Sequence, residues 1–293
     1  MSIIDVSPEV SLAYETFGDP ADPAVLLVMG FGAQMISWHE GFCRMLADRG
    51  RHVIRYDNRD CGLSTRFEDH PVDMGAFIAA VTSGDIPAAL AMVPYRLTDM
   101  ADDGLGLLTA LGIERAHVVG ASMGGMIAQT MALSAPERVL TLTSMMSSTG
   151  ESEYGAASPE AQAVLFGPKP ADRAGYIAAA ERELVWASKR YGDPAVLREA
   201  AAAAYDRAHH PTAIARQLGA MILSGSRADA LRELRVPTLV IHGLDDTLIA
   251  PSGGQRTAAL VPDAELLLLP DMGHDRPREL WPTLVDAVAT HTA

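Results

Sequence analysis

Six short apolar runs decide what this chain can fold into: "AVLLVM" (24–29), "HVIRYD" (52–57), "AHVVG" (116–120), "VLTLTSM" (139–145), "VPTLVIHG" (236–243) and "AELLLLP" (264–270). Each is β-branched or Leu-rich, and most lack polar alternation, which is the pattern of a strand buried on both faces. Stretches with helical spacing lie between them. "GFCRMLADRG" places Phe42, Leu46 and Ala47 on one face and stops at Gly50. "LTDMADDGLGLLTALG" offers Thr98 as N-cap, acids in the first turn and Gly112 as the stop. A helix follows Gly120 and stops near Pro136, and "ELWPTLVDAVATH" closes the chain as another. Strands alternating with helices predict an α/β fold, a mostly parallel sheet with helices on both faces.

The alternation breaks twice. From about Phe67 to Tyr95 there is extra material with helical stretches such as "IPAALAMV". Between about Ser147 and Ala230 no strand pattern occurs. Ala-rich helical stretches stand there instead: "AGYIAAAERELVWASKRYG", "PAVLREAAAAAYDRAHH" and "TAIARQLGAMIL". This second break separates two strands of the sheet. The expected organisation is therefore a core from 1–146 and 231–293 with a helical cap inserted at 147–230.

The 293 residues suffice for one such domain, and 48% hydrophobic residues argue for a substantial core. A net charge of −14 argues against nucleic acid and anionic membrane surfaces as partners. The two cysteines, Cys43 and Cys61, are expected as free thiols. "MSIIDVSPEVSLAYE" has neither a basic region nor a long apolar run, and no stretch has the length of a membrane span, so a cytoplasmic location is expected.

Chemistry enters at "HVVGASMGGMIAQ", where Ser122 stands between Gly120 and Gly124 at a strand-to-helix junction. A serine hydroxyl is a weak nucleophile until a base takes its proton, a carboxylate orients that base, and N–H donors meet the oxyanion. Gly-x-Ser-x-Gly in a strand–turn–helix setting is the pattern of a nucleophile elbow, whose partners follow in the order serine, acid, histidine. "HGLDDTLIAP" supplies an acid just after a strand, and "DMGHDRP" supplies His274 after the last strand. Both lie at the C-terminal edge of a parallel sheet, where open α/β sheets bind ligands. Asp245 and Asp246 are adjacent, and only one of them can face His274. His117 and His242 fall in strands, as core or edge histidines.

"GASMGG", "HGLDD" and "DMGH", with "VMGFG" and "RYDNRDCGLS" upstream, resemble the α/β-hydrolase fold family along essentially the whole chain. The resemblance implies Asp246 as the acid, three residues after the strand-end Gly243. It also implies an oxyanion hole from the backbone N–H groups of Phe31 and Met123. The family's turn after the second strand carries a glycine where this chain has Asp60. That variant, with "HVIRYDNRD" and "AHVVGASMGG", is similar to the aclacinomycin methylesterase type, which cleaves a methyl ester on a polyketide. Asp57, Arg59 and Ser64 read as structural residues of that turn.

The sequence thus predicts a Ser122–His274–Asp246 hydrolase of carboxylic esters, methyl esters or lactones of apolar or polyketide-like compounds included. Its partner is a small-molecule ester. It requires no cofactor, and no Cys/His cluster has metal-ligand spacing. Trp38, His39, Met145 and Met146 are candidates to line the substrate pocket by their positions beside the first loop and the elbow, with Trp186 or Tyr205 as further possibilities from the cap. The same triad also serves C–C bond hydrolases, cofactor-free perhydrolases and receptor-like proteins that bind a ligand under the cap, and fold alone does not choose among them.

Overall fold

A computed structural model describes residues 1–167 and 170–293. Eight strands form one sheet: β1 (Ser2–Asp5), β2 (Ser11–Phe17), β3 (Ala24–Val28), β4 (His52–Tyr56), β5 (Ala116–Ala121), β6 (Val139–Met145), β7 (Thr238–Gly243) and β8 (Glu265–Leu269), in the order β1-β2-β4-β3-β5-β6-β7-β8. From β4 to β8 every neighbouring pair is parallel, while β1–β2 and β2–β4 are antiparallel. β3, β4, β5 and β7 are buried along their entire length. Their residues alternate between two cores: Leu26 and Val28 face one, Val25 and Leu27 the other. Helices Leu97–Ala110 and Met123–Ser134 cover the first core, and helices Glu40–Ala47 and Trp281–His291 cover the second. Double coverage is why the strand runs carry so little polar alternation.

The antiparallel pair β1–β2 has no counterpart among the expected strands. Its residues, "SIID" and "SLAYETF", mix polar and apolar positions, and β1 is largely exposed. β1 is an edge strand, so the apolar pattern that betrays a buried strand is missing there. The helix predicted to start after Thr98 instead begins at Leu97. Arg96 donates its N–H to Asp99 Oδ2 at 2.7 Å, and the Leu97 N–H goes to Ser224 Oγ at 3.0 Å. A side chain from a distant helix thus satisfies the first N–H of this helix.

Among the described residues the stretch between β6 and β7 is helical and contains no strand. Positions 168 and 169 of the expected cap lie outside those residues. The quoted run 174–192 is not one helix: an α-helix over Arg173–Ala179 gives way to a 3-10 helix over Ala180–Val185. The carbonyls after that change are used elsewhere, Val185 O by Thr247 Oγ1 (2.7 Å) and Trp186 O by the His274 N–H (2.6 Å).

A polar seam ties this helical stretch to the loops after β3 and β4. Asp57 accepts the N–H groups of Met35 and Leu63 and pairs with Arg207 at 2.8 Å. Ser64 Oγ donates to Asp57 O and accepts from Ala13 N, while Arg59 grips Asp103 with two hydrogen bonds. Asp60 has φ +61°, a left-handed conformation that favours glycine and that Asp tolerates better than most residues. Its carboxylate takes two hydrogen bonds from Arg216, one from the Tyr95 hydroxyl and one from Phe67 N–H. Both Asp60 and Arg216 are buried.

Breaking such a pair from one side strands a buried charge, at a cost of about 3–5 kcal/mol. Asp60→Asn is accordingly expected to lower the unfolding free energy by about 3 kcal/mol in a urea titration. Removing both charges in Asp60→Asn/Arg216→Met should restore much of that loss. A double variant no better than the single one would mean that the charge balance is not what the site requires.

Candidate active site

β3 is the point where the strand order reverses: β4 adds on one side of it and β5 on the other. Loops leaving β3 and β5 at such a point diverge and open a crevice at the carboxyl edge of the sheet. Ser122 sits there, between β5 and helix Met123–Ser134. Its backbone is at φ +58°, ψ −124°, sparsely populated for a residue with a side chain. Four hydrogen bonds hold that conformation. Ser122 N–H donates to Met145 O (2.9 Å), and Ser122 O accepts from Gly125 N, Met126 N and Ser147 Oγ. The two flanking glycines have a steric reason. A Cβ on Gly120 would overlap the Gly124 carbonyl, and one on Gly124 would overlap the Val28 carbonyl of β3. The helix can start this close to the sheet only if both positions lack side chains.

The structure brings Ser122, His274 and Asp246 into one hydrogen-bonded chain. His274 Nε2 lies 2.9 Å from Ser122 Oγ, and His274 Nδ1 lies 2.7 Å from Asp246 Oδ2. Asp246 is buried, and its other oxygen accepts the N–H groups of Leu248 and Ile249, both at 2.9 Å. His242, at the end of β7, brings its Nε2 to 3.4 Å from Asp246 Oδ2 and 2.8 Å from Ile249 O. Burial by itself raises the Asp246 pKa. The charge of protonated His274 and hydrogen bonds from His242 and His274 outweigh that and hold it at about 2.

Asp245 points elsewhere. Its Oδ2 accepts the Lys189 N–H at 2.9 Å and its Oδ1 lies 3.1 Å from Lys189 Nζ. The loop bearing His274 is fastened to the same chain stretch: His274 N–H donates to Trp186 O, and Asp275 Oδ1 accepts from Ser188 N (2.9 Å) and Gly273 N (3.1 Å). One segment, 185–189, therefore braces both loops that deliver the imidazole and the carboxylate.

Gly30 backs directly onto Ser122, and Phe31, next along the loop, is partly buried against the first core. Met123 opens the helix, where the first amides have no intrahelical acceptor. Met145 and Met146 are buried beside the elbow, Met146 at φ +42° with its N–H on Ile241 O. Trp38 is fully buried against Phe42, with the Arg276 guanidinium 4.3 Å from its ring centroid. His39 is exposed, caps helix Glu40–Ala47 through Nδ1 and packs on Trp281. Tyr205 stacks on His209, and Tyr176 meets both rings. His117 is buried in β5 with Nδ1 3.0 Å from Thr141 Oγ1, and both cysteines are free and buried. Among the described residues no group of three or more His, Cys, Asp or Glu is placed to hold a metal ion, and no helix is long and apolar enough to cross a membrane. His242, Asp275 and Ser147 had no local signal in the sequence beyond their neighbourhood to the motifs.

Residues 23–275 match the model of the alpha/beta hydrolase fold, and the chain belongs to that family. It is 30% identical to rhodomycin D methylesterase DauP of Streptomyces sp. (strain C5), over 97% of this chain and 95% of that one. It is 28% identical to a putative carbamate hydrolase, RutD, of Variovorax paradoxus (strain S110), over 90% and 89% of the two chains. A solved hydrolase from Pseudomonas aeruginosa PA01 superimposes with a TM-score of 0.72 at 27% identity, covering 99% of this chain and 97% of that one.

The low Asp246 pKa has a stability consequence. Its folded value, about 2, lies below the ordinary 3.8, so the carboxylate contributes stability above the ordinary value and loses it as pH falls toward 2. Wild type and Asp246→Asn should thus differ most in unfolding free energy above about pH 4 and converge as the pH falls from there through about 2. Denaturant titrations of both proteins across that range check this; a gap that stays constant with pH would exclude the linkage.

Proposed function

We propose that this protein is a serine hydrolase of carboxylic esters, with Ser122 as nucleophile, His274 as general acid–base and Asp246 as the orienting carboxylate. The observation that carries the reading is the Oγ–imidazole–carboxylate chain of 2.9 and 2.7 Å ending on a serine at φ +58°. Ser122 Oγ attacks the ester carbonyl carbon as its proton passes to His274 Nε2. The N–H groups of Phe31 and Met123 hold the oxyanion. Collapse of the tetrahedral intermediate expels the alcohol, which takes the proton from His274, and leaves an acyl-serine. Water, deprotonated by the same imidazole, then releases the acid and restores Ser122. Asp246 stays ionised throughout, stabilising the imidazolium and holding Nδ1 protonated.

The helical stretch 147–230 acts as a cap over this site and selects the substrate. Likeness to rhodomycin D methylesterases over nearly the whole chain favours a methyl ester on a polyketide-like acid, with methanol as the leaving group. The partner this reading calls for is a small-molecule ester, and its steps draw on the three side chains and two backbone amides named above.

Ser122→Ala should reduce turnover of a chromogenic short-chain ester to the trace left by binding and the oxyanion hole, at unchanged thermal stability. An organophosphonate should label Ser122 and no other serine in a mass spectrum. Near wild-type turnover in the alanine variant would exclude the assignment. The neighbouring aspartates provide a sharper comparison. Asp246→Asn should cost roughly two to four orders of magnitude in kcat. Asp245→Asn, which loosens only the tie to Lys189, should cost less than about tenfold. If the larger loss falls on Asp245, the carboxylate has been misassigned.

A further inference from the structure

The loop after β3 turns through Gly30, Phe31, Gly32 and Ala33, closed by the Ala33 N–H on Gly30 O at 3.3 Å. Gly32 has φ +65°, and Phe31 is not among the residues with positive φ. Positive φ at the third residue alone is the signature of a type II turn. Types I and II differ by a flip of the central peptide, here the one joining Phe31 to Gly32. The Phe31 N–H lies on the peptide before it, so its place relative to Ser122, against which Gly30 already packs, follows from where the loop as a whole is held.

One side chain reads the state of this peptide. The Gly32 N–H donates to Gln217 Oε1 at 2.9 Å. Gln217 lies on helix Ala213–Ser224, 185 residues away in sequence, and is almost fully buried. Its own amide donates to Arg59 O at 3.1 Å, which fixes which end of the amide faces Gly32. Next to it, Arg216 is locked onto Asp60, so the helix bearing Gln217 cannot slide along the loop. Ile214, one turn earlier, closes the other side: a Cβ on Gly32 would lie 2.6 Å from Ile214 Cδ1. In the flipped turn the Gly32 N–H would point away, leaving Gln217 Oε1 buried and unpaired, which is costly.

We propose that Gln217 is a positioning residue of the proposed hydrolase: by accepting the Gly32 N–H it anchors the loop after β3 where the Phe31 N–H can meet the oxyanion. The inference rests on the esterase reading and extends it, because a residue of the cap then sets the rate of the chemical step as well as the choice of substrate. The oxyanion hole is complete only when the cap helix is seated.

Three measurements test this. Gln217→Met keeps the shape and removes the acceptor, and Gln217→Glu keeps an acceptor at the same place. With p-nitrophenyl acetate, too small to need the cap, Gln217→Met should lose roughly ten- to hundredfold in kcat with KM within about threefold, somewhat less than outright removal of an oxyanion donor. Gln217→Glu should recover only part of that loss, because its second oxygen cannot donate to Arg59 O as the amide does. A fluorophosphonate reports the same hole without requiring any ester to be turned over, and its labelling of Ser122 should slow in parallel. In the wild-type protein, amide exchange at Gly32 should be strongly protected. Unchanged kcat and labelling in a folded Gln217→Met variant would overturn the proposal, as would a loss confined to KM, or rapid Gly32 exchange in wild type. If wild type takes the phosphonate at Ser122 but hydrolyses no ester, the esterase reading fails and the labelling rates still decide the role of Gln217. A wild type that is not labelled at Ser122 removes both.

Discussion

Everything at the carboxyl edge of this sheet depends on how closely helix Met123–Ser134 approaches β3 and β5. The Gly124 carbonyl lies where a side chain on Gly120 would be, and the Val28 carbonyl lies where one on Gly124 would be. That approach leaves no room for an ordinary turn between strand and helix, so Ser122 is driven to φ +58° and its hydroxyl stands free of the backbone. The strain, of order 1–3 kcal/mol for a non-glycine residue, persists because four hydrogen bonds from β6, the helix and Ser147 over-determine the turn. Placing the serine also places the amides of the helix start next to it, where the helix dipole favours negative charge.

The imidazole and carboxylate arrive from loops that have little to hold them individually. Asp246 is anchored by two backbone N–H groups and by its neighbourhood to His242. His274 depends on the other side of the crevice. Its own N–H, the Asp275 carboxylate and the Asp245 carboxylate all bond to residues 186–189. The distance between His274 and Ser122 is thus set jointly by the sheet and by a stretch inserted between β6 and β7. At the end of the run 174–192 the carbonyls of Val185 and Trp186 accordingly serve donors on the loops bearing Asp246 and His274.

How much of this was legible in the sequence follows from the range of each interaction. The parallel strands and the glycines around Ser122 are local patterns, and burial on both faces or close backbone approach writes them plainly. The choice of Asp246 over Asp245 came from its offset to Gly243. The structure supplies a physical contrast between the two, one carboxylate facing His274 and the other facing Lys189. β1 and β2 escaped because β1 is a short exposed edge and β2 is only partly buried, so neither carries a continuous apolar run. Arg216 and Gln217 escaped for a different reason. Their partners lie 156 and 185 residues away, and a polar contact of that range leaves no period or spacing in the chain. The one visible trace was Asp60, an acid where the family carries a glycine.

That trace repays closer reading. Glycine suits φ +61° at no steric cost, whereas aspartate accepts some strain there. A buried ion pair is a weak source of net stability, since desolvation offsets most of its attraction. Neither term favours Asp60 over glycine if stability is the only criterion. What the pair supplies is placement: a guanidinium held by two hydrogen bonds on a carboxylate fixes both distance and orientation. Arg216 and Gln217 are consecutive on one helix, so their side chains leave it about 100° apart and reach two different loops. Arg216 meets the loop after β4 at Asp60, and Gln217 bridges that loop, at Arg59 O, to the loop after β3, at the Gly32 N–H. Seating the first thereby determines where the second falls, within reach of the Gly32 N–H. The departure from the family pattern at position 60 is thus geometrically linked to the turn that carries Phe31, through a helix that belongs to neither loop.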